Sequence, residues 1–305
     1  MRLMTTVAFI GLGTMGAPMA ANLVKAGFDV VGHNRSRPPV DALVAAGGRA
    51  AESVAEAVGS ADVAVTMLPD SPDVRAVALG PDGVLAHLPD GALYLDMSSI
   101  NPAVAVALAE AGAGRGVYVL DAPVSGGEPG ARSASLSIMV GGTAAAFTRA
   151  QPVLAALGTT IVHVGPAGAG QTVKAANQLL VGGHLALLAE AIVLLEATGV
   201  DLESALRVLA GGLAGSTVLD RKSEAMRTRA FRPSFRADLH AKDLRIVADL
   251  AGQEALVLPT VSAAAQLMTA FVARGEGNLD HSAVLKGDRE PVRPGVHRVS
   301  YHCRP

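Results

Sequence analysis

Three glycines near the start of the chain have the spacing of a turn that binds a diphosphate. The apolar run VAFI at 7–10 leads into the segment GLGTMG at 11–16, and a helix is predicted from near Ala17. In this pattern the first glycine permits a tight turn, the second lets a pyrophosphate approach the backbone, and the third allows close helix packing. The helix N-terminus adds amide donors and positive potential. The sequence therefore predicts a dinucleotide site, with glycines that only shape a turn as the alternative. The predicted site residues are Gly11, Leu12, Gly13, Thr14, Met15 and Gly16.

The end of the second predicted strand indicates which dinucleotide binds. An acidic residue about twenty positions after the glycines usually holds the ribose hydroxyls of NAD. Here the strand DVVGH is followed by Asn34, Arg35 and Ser36, without a carboxylate. A guanidinium can form charge-assisted hydrogen bonds with a 2′-phosphate, and Asn34 and Ser36 can add neutral ones. We therefore expect NADP to be preferred, with NAD possible, unless Arg35 is an ordinary surface charge.

Two further groups of residues could act on a small carboxylic acid. Ser125, Gly126 and Gly127 follow the predicted strand GVYVLD, and a hydroxyl with unobstructed backbone amides can bind a carboxylate. A plain turn is the alternative. Lys174 and Asn177 are three residues apart on a predicted helix, so one could titrate while the other orients a substrate. Taken alone, a lysine in a first helical turn is usually a solvated charge.

The elements that position these residues follow a βα alternation. Short runs rich in Val, Ile and Leu alternate with alanine-rich stretches up to about Val164, which predicts βαβ units around a parallel sheet. A long helix is predicted over 171–197, followed by helices over 202–209, 239–251 and 261–273. The predicted fold is α/β: a Rossmann-type doubly wound sheet, a long connecting helix and an all-α C-terminal domain. The expected bounds are 1–163, 164–197 and 198–286, with an exposed tail over 287–305.

Composition excludes several classes of partner. The chain has 305 residues, 50% of them hydrophobic, and a formal net charge of -2, so nothing in it favours nucleic acid or an anionic membrane. Its one cysteine, Cys303, forms no internal disulfide, and we expect a cytoplasmic protein. The early apolar run is too short for a signal peptide. His297, His302 and Cys303 are weak evidence for a metal, and no metal site is predicted.

The apolar stretch LLVGGHLALLAEAIVLL at 179–195 has nearly the length of a membrane span. It contains His184 and Glu190, and charges inside a membrane are costly. A helix buried within the protein explains it better. Because such an apolar surface needs cover, we expect a homodimer or homotetramer.

Ordered motifs beyond the glycine loop resemble the β-hydroxyacid dehydrogenase family over nearly the whole chain up to about Lys286. The family includes 3-hydroxyisobutyrate dehydrogenases, tartronate semialdehyde reductases, and glyoxylate and succinic semialdehyde reductases. The matching segments are MLPDSPDV at 67–74, DMSSINP at 96–102, DAPVSGGEPGA at 121–131, GAGQTVKAANQ at 168–178 and FRADLHAKDL at 235–244.

The resemblance implies a role for each matched residue. Lys174 would be the catalytic acid or base, and Ser125, Gly126, Gly127 and Asn177 would bind the substrate carboxylic acid. The implied cofactor contacts beyond the glycine loop and residues 34–36 are Leu68, Pro69, Asp73, Ser99 and Lys242. Lys242 would come from the helical domain to the nicotinamide, with an exposed charge as the alternative. The active site is expected in a cleft between the two domains.

Some features leave the assignment open. Ala134 and Ser135 stand where the family often has Gly-Thr, and the segments near Asp280 and near Arg35 resemble neighbouring branches of the family. An imine reductase shares the architecture and the use of NADPH but typically lacks the lysine. A non-catalytic NADP-binding protein would keep the glycine loop and lose the substrate residues. Both remain alternatives to an oxidoreductase acting on a small hydroxy acid or semialdehyde.

Overall fold

The computed structural model describes residues 5–289 of the chain. The greater part of the predicted tail over 287–305 lies outside these residues. His297, His302 and Cys303, the weak metal candidates, also lie outside them. Exposure of the tail and any role for it therefore stay predictions.

The strands of the described residues form one mixed sheet in the order β3-β2-β1-β4-β5-β6-β8-β7, with β9 paired to β8. Strands β1 to β6 are parallel, whereas β8 runs antiparallel to β6 and β7. The strands are β1 (Thr6–Ile10), β2 (Asp29–His33), β3 (Arg49–Ala50), β4 (Val63–Thr66), β5 (Leu93–Asp96), β6 (Tyr118–Asp121), β7 (Val124–Ser125), β8 (Leu136–Gly142) and β9 (Gly158–Gly165).

The helices of the described residues pack on both faces of the sheet or continue into the C-terminal half. They are α1 (Gly16–Lys25), α2 (Arg37–Ala45), α3 (Val54–Val58), α4 (Ser71–Leu79), α5 (Val84–His87), α6 (Pro102–Ala113), α7 (Gly127–Arg132), α8 (Ala144–Ala155), α9 (Ala169–Ala197), α10 (Leu202–Ala210), α11 (Thr217–Thr228), α12 (Ala237–Gln253) and α13 (Pro259–Phe271). An irregular turn over Val272–Glu276 and a 3-10 segment over His281–Arg289 follow.

Alternation along the central strands divides the core into two apolar layers. Val7 and Phe9 of β1 belong to one buried cluster, and Ala8 and Ile10 to the other. Successive strand residues point to opposite faces, so a strand apolar at every position must be covered on both sides. This confirms the predicted doubly wound sheet and explains why its strands are continuous apolar runs.

The described chain forms two compact units, which are described separately. One contains the residues up to Leu180 together with Lys242–Leu258, and therefore the whole sheet. The other contains Val181–Ala241 and the described residues from Pro259 onward, and it is helical. Lys242, predicted within the helical domain, is grouped with the sheet.

The helical unit contains a buried polar cluster centred on Asp280. The carboxylate of Asp280 accepts hydrogen bonds from the ammonium group of Lys222 at 2.8 and 2.9 Å. It also accepts from the backbone and hydroxyl of Ser234, from the amide of Phe235 and from Ser282. Through the amides of Ser234 and Phe235, Asp280 anchors the loop that precedes α12.

Four strands of the sheet were not predicted individually. β3 and β7 have two residues each, too few for a periodicity to be recognised. β8 and β9 follow the apparent last strand, and β9 contains exposed threonines that weaken its apolar pattern. Because strands were predicted from runs of Val, Ile and Leu, the reversal of strand direction at β8 was not predicted.

Helix α9 is long and apolar enough to cross a bilayer by length and composition alone, and 39% of its most apolar window is buried within the protein. A core helix meets the same criterion. Leu180, Leu187 and Leu194, seven residues apart, are 57%, 61% and 65% exposed.

Candidate active site

The glycine loop between β1 and α1 has the shape that a dinucleotide requires. Gly11 has φ +96°, and a Cβ atom there would lie 2.4 Å from the carbonyl oxygen of Met67. A Cβ atom at Gly16 would lie 1.9 Å from the carbonyl oxygen of Gly11, so the helix can begin this close to the strand only with glycine. A Cβ atom at Gly13 would meet no atom within 4 Å. The space beside Gly13 is therefore open to a ligand.

The start of α1 completes a fit for a pyrophosphate. No side chain caps the helix at Met15 among the described residues. Amide groups in the first turn of a helix lack intrahelical acceptors, and together with the helix dipole they favour an anion. The open space at Gly13 and this N-terminus are consistent with the dinucleotide predicted from the sequence.

Asn34 supports the loop from the end of β2. Its Oδ1 accepts a hydrogen bond from the amide of Leu12 at 3.0 Å, and its Nδ2 donates to the carbonyl and hydroxyl oxygens of Ser36. The side chain of Arg35 is exposed beside it. The structure therefore shows Asn34 orienting the loop, whereas contact of Asn34, Arg35 or Ser36 with a 2′-phosphate stays a prediction.

The loops that follow β4 and β5 are joined next to the glycine loop. A Cβ atom at Gly11 would lie 3.0 Å from Cδ2 of Leu68, so the β4 loop borders the glycine turn. The amide of Leu68 donates to Oγ of Ser98 at 2.9 Å. Pro69 is exposed, and Asp73 is exposed in the first turn of α4. These loops lie at the carboxyl ends of parallel strands, where open α/β sheets bind their ligands.

The turn at 125–127, where a carboxylate site was predicted, leaves open space at Gly127. Ser125 ends β7 and is partly exposed, Gly126 has φ +137°, and Gly127, with φ +63°, begins α7. A Cβ atom at Gly127 would approach Pro129 no closer than 3.7 Å. Two consecutive residues with positive φ require glycine and turn the backbone sharply away from β7.

Lys174 is buried beside this turn. It lies in the second turn of α9, because the helix begins at Ala169 and not at Gln171 as predicted. Only 9% of the residue is exposed, and its Nζ donates to the carbonyl oxygen of Val124 at 2.8 Å and to Oε1 of Gln178 at 3.2 Å. The interpretation of Lys174 as a solvated charge is therefore wrong.

Burial makes Lys174 able to exchange a proton near neutral pH. Desolvation lowers the pKa of Lys174 to about 8, against the opposing effect of Asp243, while the charge of Lys242 lowers it further. An ammonium group with an ordinary lysine pKa rarely gives up its proton at neutral pH. The burial and the lowered pKa of Lys174 are compatible with the predicted role of a general acid or base.

Two residues near Lys174, Gln178 and Asp243, were not predicted as part of the site. Nδ2 of Asn177 donates to Oε1 of Gln178 at 2.8 Å, so Lys174 and Asn177 share one acceptor. Nε2 of Gln178 in turn donates to Oδ2 of Asp243 at 2.5 Å. The signals were present, because Gln178 is one helical turn after Lys174 and Asp243 directly follows the predicted Lys242.

Lys242 is buried and paired. It is 7% exposed, and its Nζ lies 2.7 Å from Oδ1 of Asp243 and donates to the carbonyl oxygen of Ser99 at 2.5 Å. The alternative of an exposed charge is therefore wrong. Lys242 joins the predicted cofactor loop at Ser99 to the group of residues around Lys174.

Asp121 and Gln171 anchor the start of α9. The carboxylate of Asp121 accepts from the amides of Gly168 at 2.8 Å and Gln171 at 2.9 Å, which satisfies donors at the helix N-terminus. The side chain of Gln171 donates to the carbonyl oxygen of Ser98 and accepts from the amide of Ile100. The helix that carries Lys174 is thus fixed to both β6 and the loop after β5.

Comparisons with known proteins match nearly the whole chain to nicotinamide-dependent dehydrogenases. Residues 6–165 match the NAD-binding domain of 6-phosphogluconate dehydrogenase, and residues 168–287 match the NAD-binding domain of NADP-dependent 3-hydroxyisobutyrate dehydrogenase. The chain is 39% identical to 2-hydroxy-3-oxopropionate reductase of Escherichia coli over 281 residues, covering 92% of this chain and 96% of the relative.

The names of two further relatives refer to other substrates. NAD-dependent L-serine dehydrogenase of Pseudomonas aeruginosa is 39% identical over 290 residues, covering 93% of this chain and 97% of that protein. The structure of Mycobacterium tuberculosis 3-hydroxyisobutyrate dehydrogenase with L-serine has a TM-score of 0.86 at 36% identity and covers 94% of this chain and 100% of its own. The chain therefore belongs to the β-hydroxyacid dehydrogenase family, whose members are nicotinamide-dependent oxidoreductases that act on CH–OH groups.

Proposed function

We propose that this enzyme interconverts a small hydroxy carboxylic acid, such as a 3-hydroxy acid, and the corresponding semialdehyde or oxo acid, with NADP preferred and Lys174 as acid or base. The candidate substrates are of the tartronate semialdehyde, glyoxylate, succinic semialdehyde or 3-hydroxyisobutyrate type. The observation that carries the proposal is the buried ammonium group of Lys174, held by Val124 and Gln178 next to the turn at 125–127.

The chain's own residues supply a proton and an orientation. When bound, the nicotinamide cofactor would supply the hydride for reduction of the carbonyl carbon, or take up the hydride of the alcohol carbon in oxidation. In reduction, Nζ of Lys174 gives its proton to the substrate oxygen, and in oxidation it removes that proton. Val124 and Gln178 accept hydrogen bonds from Nζ, which limits the directions in which its remaining bond can point.

The substrate carboxylate is assigned to the turn at 125–127. The Ser125 hydroxyl can donate to a carboxylate oxygen, and the glycine backbone leaves room for close approach. Since Lys174 is bonded to the carbonyl oxygen of the residue preceding Ser125, a carboxylate at this turn places the adjacent carbons of a small acid near Nζ. This short separation favours short substrates.

The preference for NADP rests on Arg35. It is exposed at the end of β2, where a family member specific for NAD would often carry an acid, and Asn34 is already bonded to Leu12. The relative from Pseudomonas aeruginosa is named as NAD-dependent, so both cofactors belong in the assay.

Self-association is also proposed. The exposed residues Leu180, Leu187 and Leu194 repeat every seven positions on α9 and so form one apolar stripe. An exposed stripe of this kind is typical of a subunit interface. We propose a homodimer or homotetramer, which sedimentation at micromolar protein concentration tests.

The activity is tested with a panel of small semialdehydes and hydroxy acids, each assayed with NADPH or NADP⁺ and with NADH or NAD⁺. The proposal expects turnover of short substrates that carry a carboxylate and higher kcat/KM with the phosphorylated cofactor. Matched aldehydes and alcohols without the carboxylate are the control, because they lack the group that Ser125 binds. Turnover of cyclic imines alone would favour an imine reductase, and cofactor binding without any turnover would favour a non-catalytic protein.

A further inference from the structure

A buried carboxylate lies beneath the two loops that border the glycine turn. Asp96 is the last residue of β5 and is 1% exposed. Its Oδ1 accepts from the hydroxyl of Thr66 at 2.7 Å, from the hydroxyl of Ser98 at 2.7 Å and from the amide of Ser98 at 3.3 Å. Its Oδ2 has no hydrogen-bond partner among the described residues. One oxygen of this carboxylate thus receives three donors.

The shared acceptor fixes the direction of every hydrogen bond around it. Because the Thr66 proton goes to Asp96, the hydroxyl of Tyr94, 2.9 Å from Oγ1 of Thr66, must be a donor to it. The Ser98 proton also goes to Asp96, so a lone pair of Oγ faces the amide of Leu68 at 2.9 Å. An ionised carboxylate only accepts, and its charge strengthens these hydrogen bonds beyond what a neutral amide oxygen would provide.

We propose that Asp96 is a positioning residue of the cofactor site, which orients Ser98 to hold Leu68 and so fixes the loop after β4 against the loop after β5. The inference rests on the proposed cofactor role of Leu68, Pro69 and Ser99. Asp96 does not itself touch the cofactor in this account. It acts through the hydroxyl group of Ser98.

Burial makes ionisation of Asp96 unfavourable in free energy, which supports a functional role for the charged group. Burial raises the pKa of Asp96 to about 6, although Ser98 and Thr66 lower it, and the nearby charge of Asp121 on β6 raises it. A pKa above the ordinary carboxyl value means that the folded protein loses stability as pH rises through that range. A role in stability alone would not require this ionised group.

The test measures binding of NADPH and thermal unfolding at pH 7.5 for four proteins: wild type, Asp96→Asn, Ser98→Ala and the double variant. Asp96→Asn retains the shape and removes the charge. We expect each single variant to raise Kd about tenfold, the scale of one hydrogen bond to a charged group. The Kd of the double variant should be no higher than that of the single variant with the higher Kd. Both changes break the same hydrogen-bonded chain from Asp96 through Ser98 to Leu68. The Tm of Asp96→Asn should stay above the temperature of the binding assay, so that Kd is measured on folded protein.

The pH dependence adds a readout that a structural role would not change. In wild type, Kd should rise as pH falls through about 6, because protonation removes the charge that strengthens the hydrogen bonds from Thr66 and Ser98 to Asp96. Asp96→Asn should lack this component. The 2′-phosphate of the cofactor, Asp121 and Tyr94 are common to both proteins, so the difference between them isolates Asp96.

Leu68→Ala separates failure of this inference from failure of the cofactor assignment. If Leu68→Ala weakens binding while Asp96→Asn and Ser98→Ala do not, the inference is overturned and the cofactor site stands. If Leu68→Ala also leaves Kd unchanged, the loop does not hold the cofactor and both ideas fail together. Should Asp96→Asn not fold, an unchanged Kd in Ser98→Ala overturns the inference, and a tenfold rise supports it.

Discussion

Oε1 of Gln178 accepts a hydrogen bond from Nζ of Lys174 at 3.2 Å, while Nε2 of the same amide donates to Asp243 at 2.5 Å. A glutamine side chain has one acceptor end and one donor end, so the carboxylate of Asp243 determines which end faces Lys174. The proton-exchanging group is thereby linked to a buried anion through one amide. This linkage predicts how the rate should vary with pH.

The first prediction concerns that pH profile at saturating substrate and cofactor. Since the pKa of Lys174 lies at about 8, kcat for oxidation should rise through that pH and kcat for reduction should fall through it. The sign follows because oxidation needs the neutral amine and reduction needs the ammonium group. Profiles of both directions with one substrate pair check this, and parallel profiles would contradict it.

Two neighbouring variants should move the profile in opposite directions. Asp243 raises the pKa of Lys174, so Asp243→Asn should shift the oxidation profile to lower pH while keeping an acceptor for Gln178. Lys242 lowers the pKa of Lys174, so Lys242→Met should shift it to higher pH. A common shift in both variants would show that packing, and not charge, controls Lys174.

Cofactor choice gives the second prediction. Arg35→Ala should weaken NADPH binding by roughly 10- to 100-fold and leave NADH nearly unchanged, because a charge-assisted hydrogen bond contributes about 1.5–3 kcal/mol. Arg37→Ala is the matched control, since Arg37 is bonded to Asp41 and Glu52 at 2.7 Å each. Titration of cofactor fluorescence measures both constants. Equal affinity of wild-type protein for NADH and NADPH would refute the assignment of Arg35.

The cluster around Asp280 gives the third prediction, on stability. Burial by itself raises the pKa of Asp280, but His281, Lys222 and Ser282 together hold that pKa below its ordinary value. Breaking a buried ion pair costs about 3–5 kcal/mol, so Asp280→Asn should lower the free energy of unfolding by that amount at pH 7. Urea denaturation measures it.

The sign of the Asp280 effect can be checked with pH. A depressed carboxyl pKa stabilises the folded state above the ordinary carboxyl range, and this stability is lost as pH falls below that range. The difference between wild type and Asp280→Asn should therefore shrink in acid. Arg132→Ala is the control, because its exposed pair with Glu128 should contribute under about 1 kcal/mol. Equal losses in the two variants would contradict the role given to Asp280.

Local patterns predicted most of the fold and the position of the glycine loop. Strand β1, the glycines and α1 are contiguous, so hydrophobic periodicity and turn chemistry identify them from one stretch of sequence. Strand β8 was not predicted because its antiparallel direction depends on pairing with β6. The sequence near β8 contains no local pattern that indicates this pairing.

The site was predicted less completely for a similar reason. The motif that contains Lys174 named the lysine, but its burial, its bond to Val124 and the contact between Gln178 and Asp243 join segments up to 65 residues apart. Likewise, Asp96 lies within a matched motif, and only the structure shows three donors converging on it. Sequence spacing identifies neighbours on one helix, whereas these contacts arise from the order of the strands.

The role of Lys174 can be tested most directly with Lys174→Met. Methionine retains most of the side-chain volume and removes the ammonium group, so binding of NADPH, which we propose that the glycine loop and Arg35 hold, should survive. General acid catalysis is typically worth about 10²- to 10⁴-fold, and kcat should fall by at least that range. Measured separately from KM on a verified substrate, a kcat near that of wild type with unchanged pH dependence would contradict the account and leave Lys174 a role in binding or orientation.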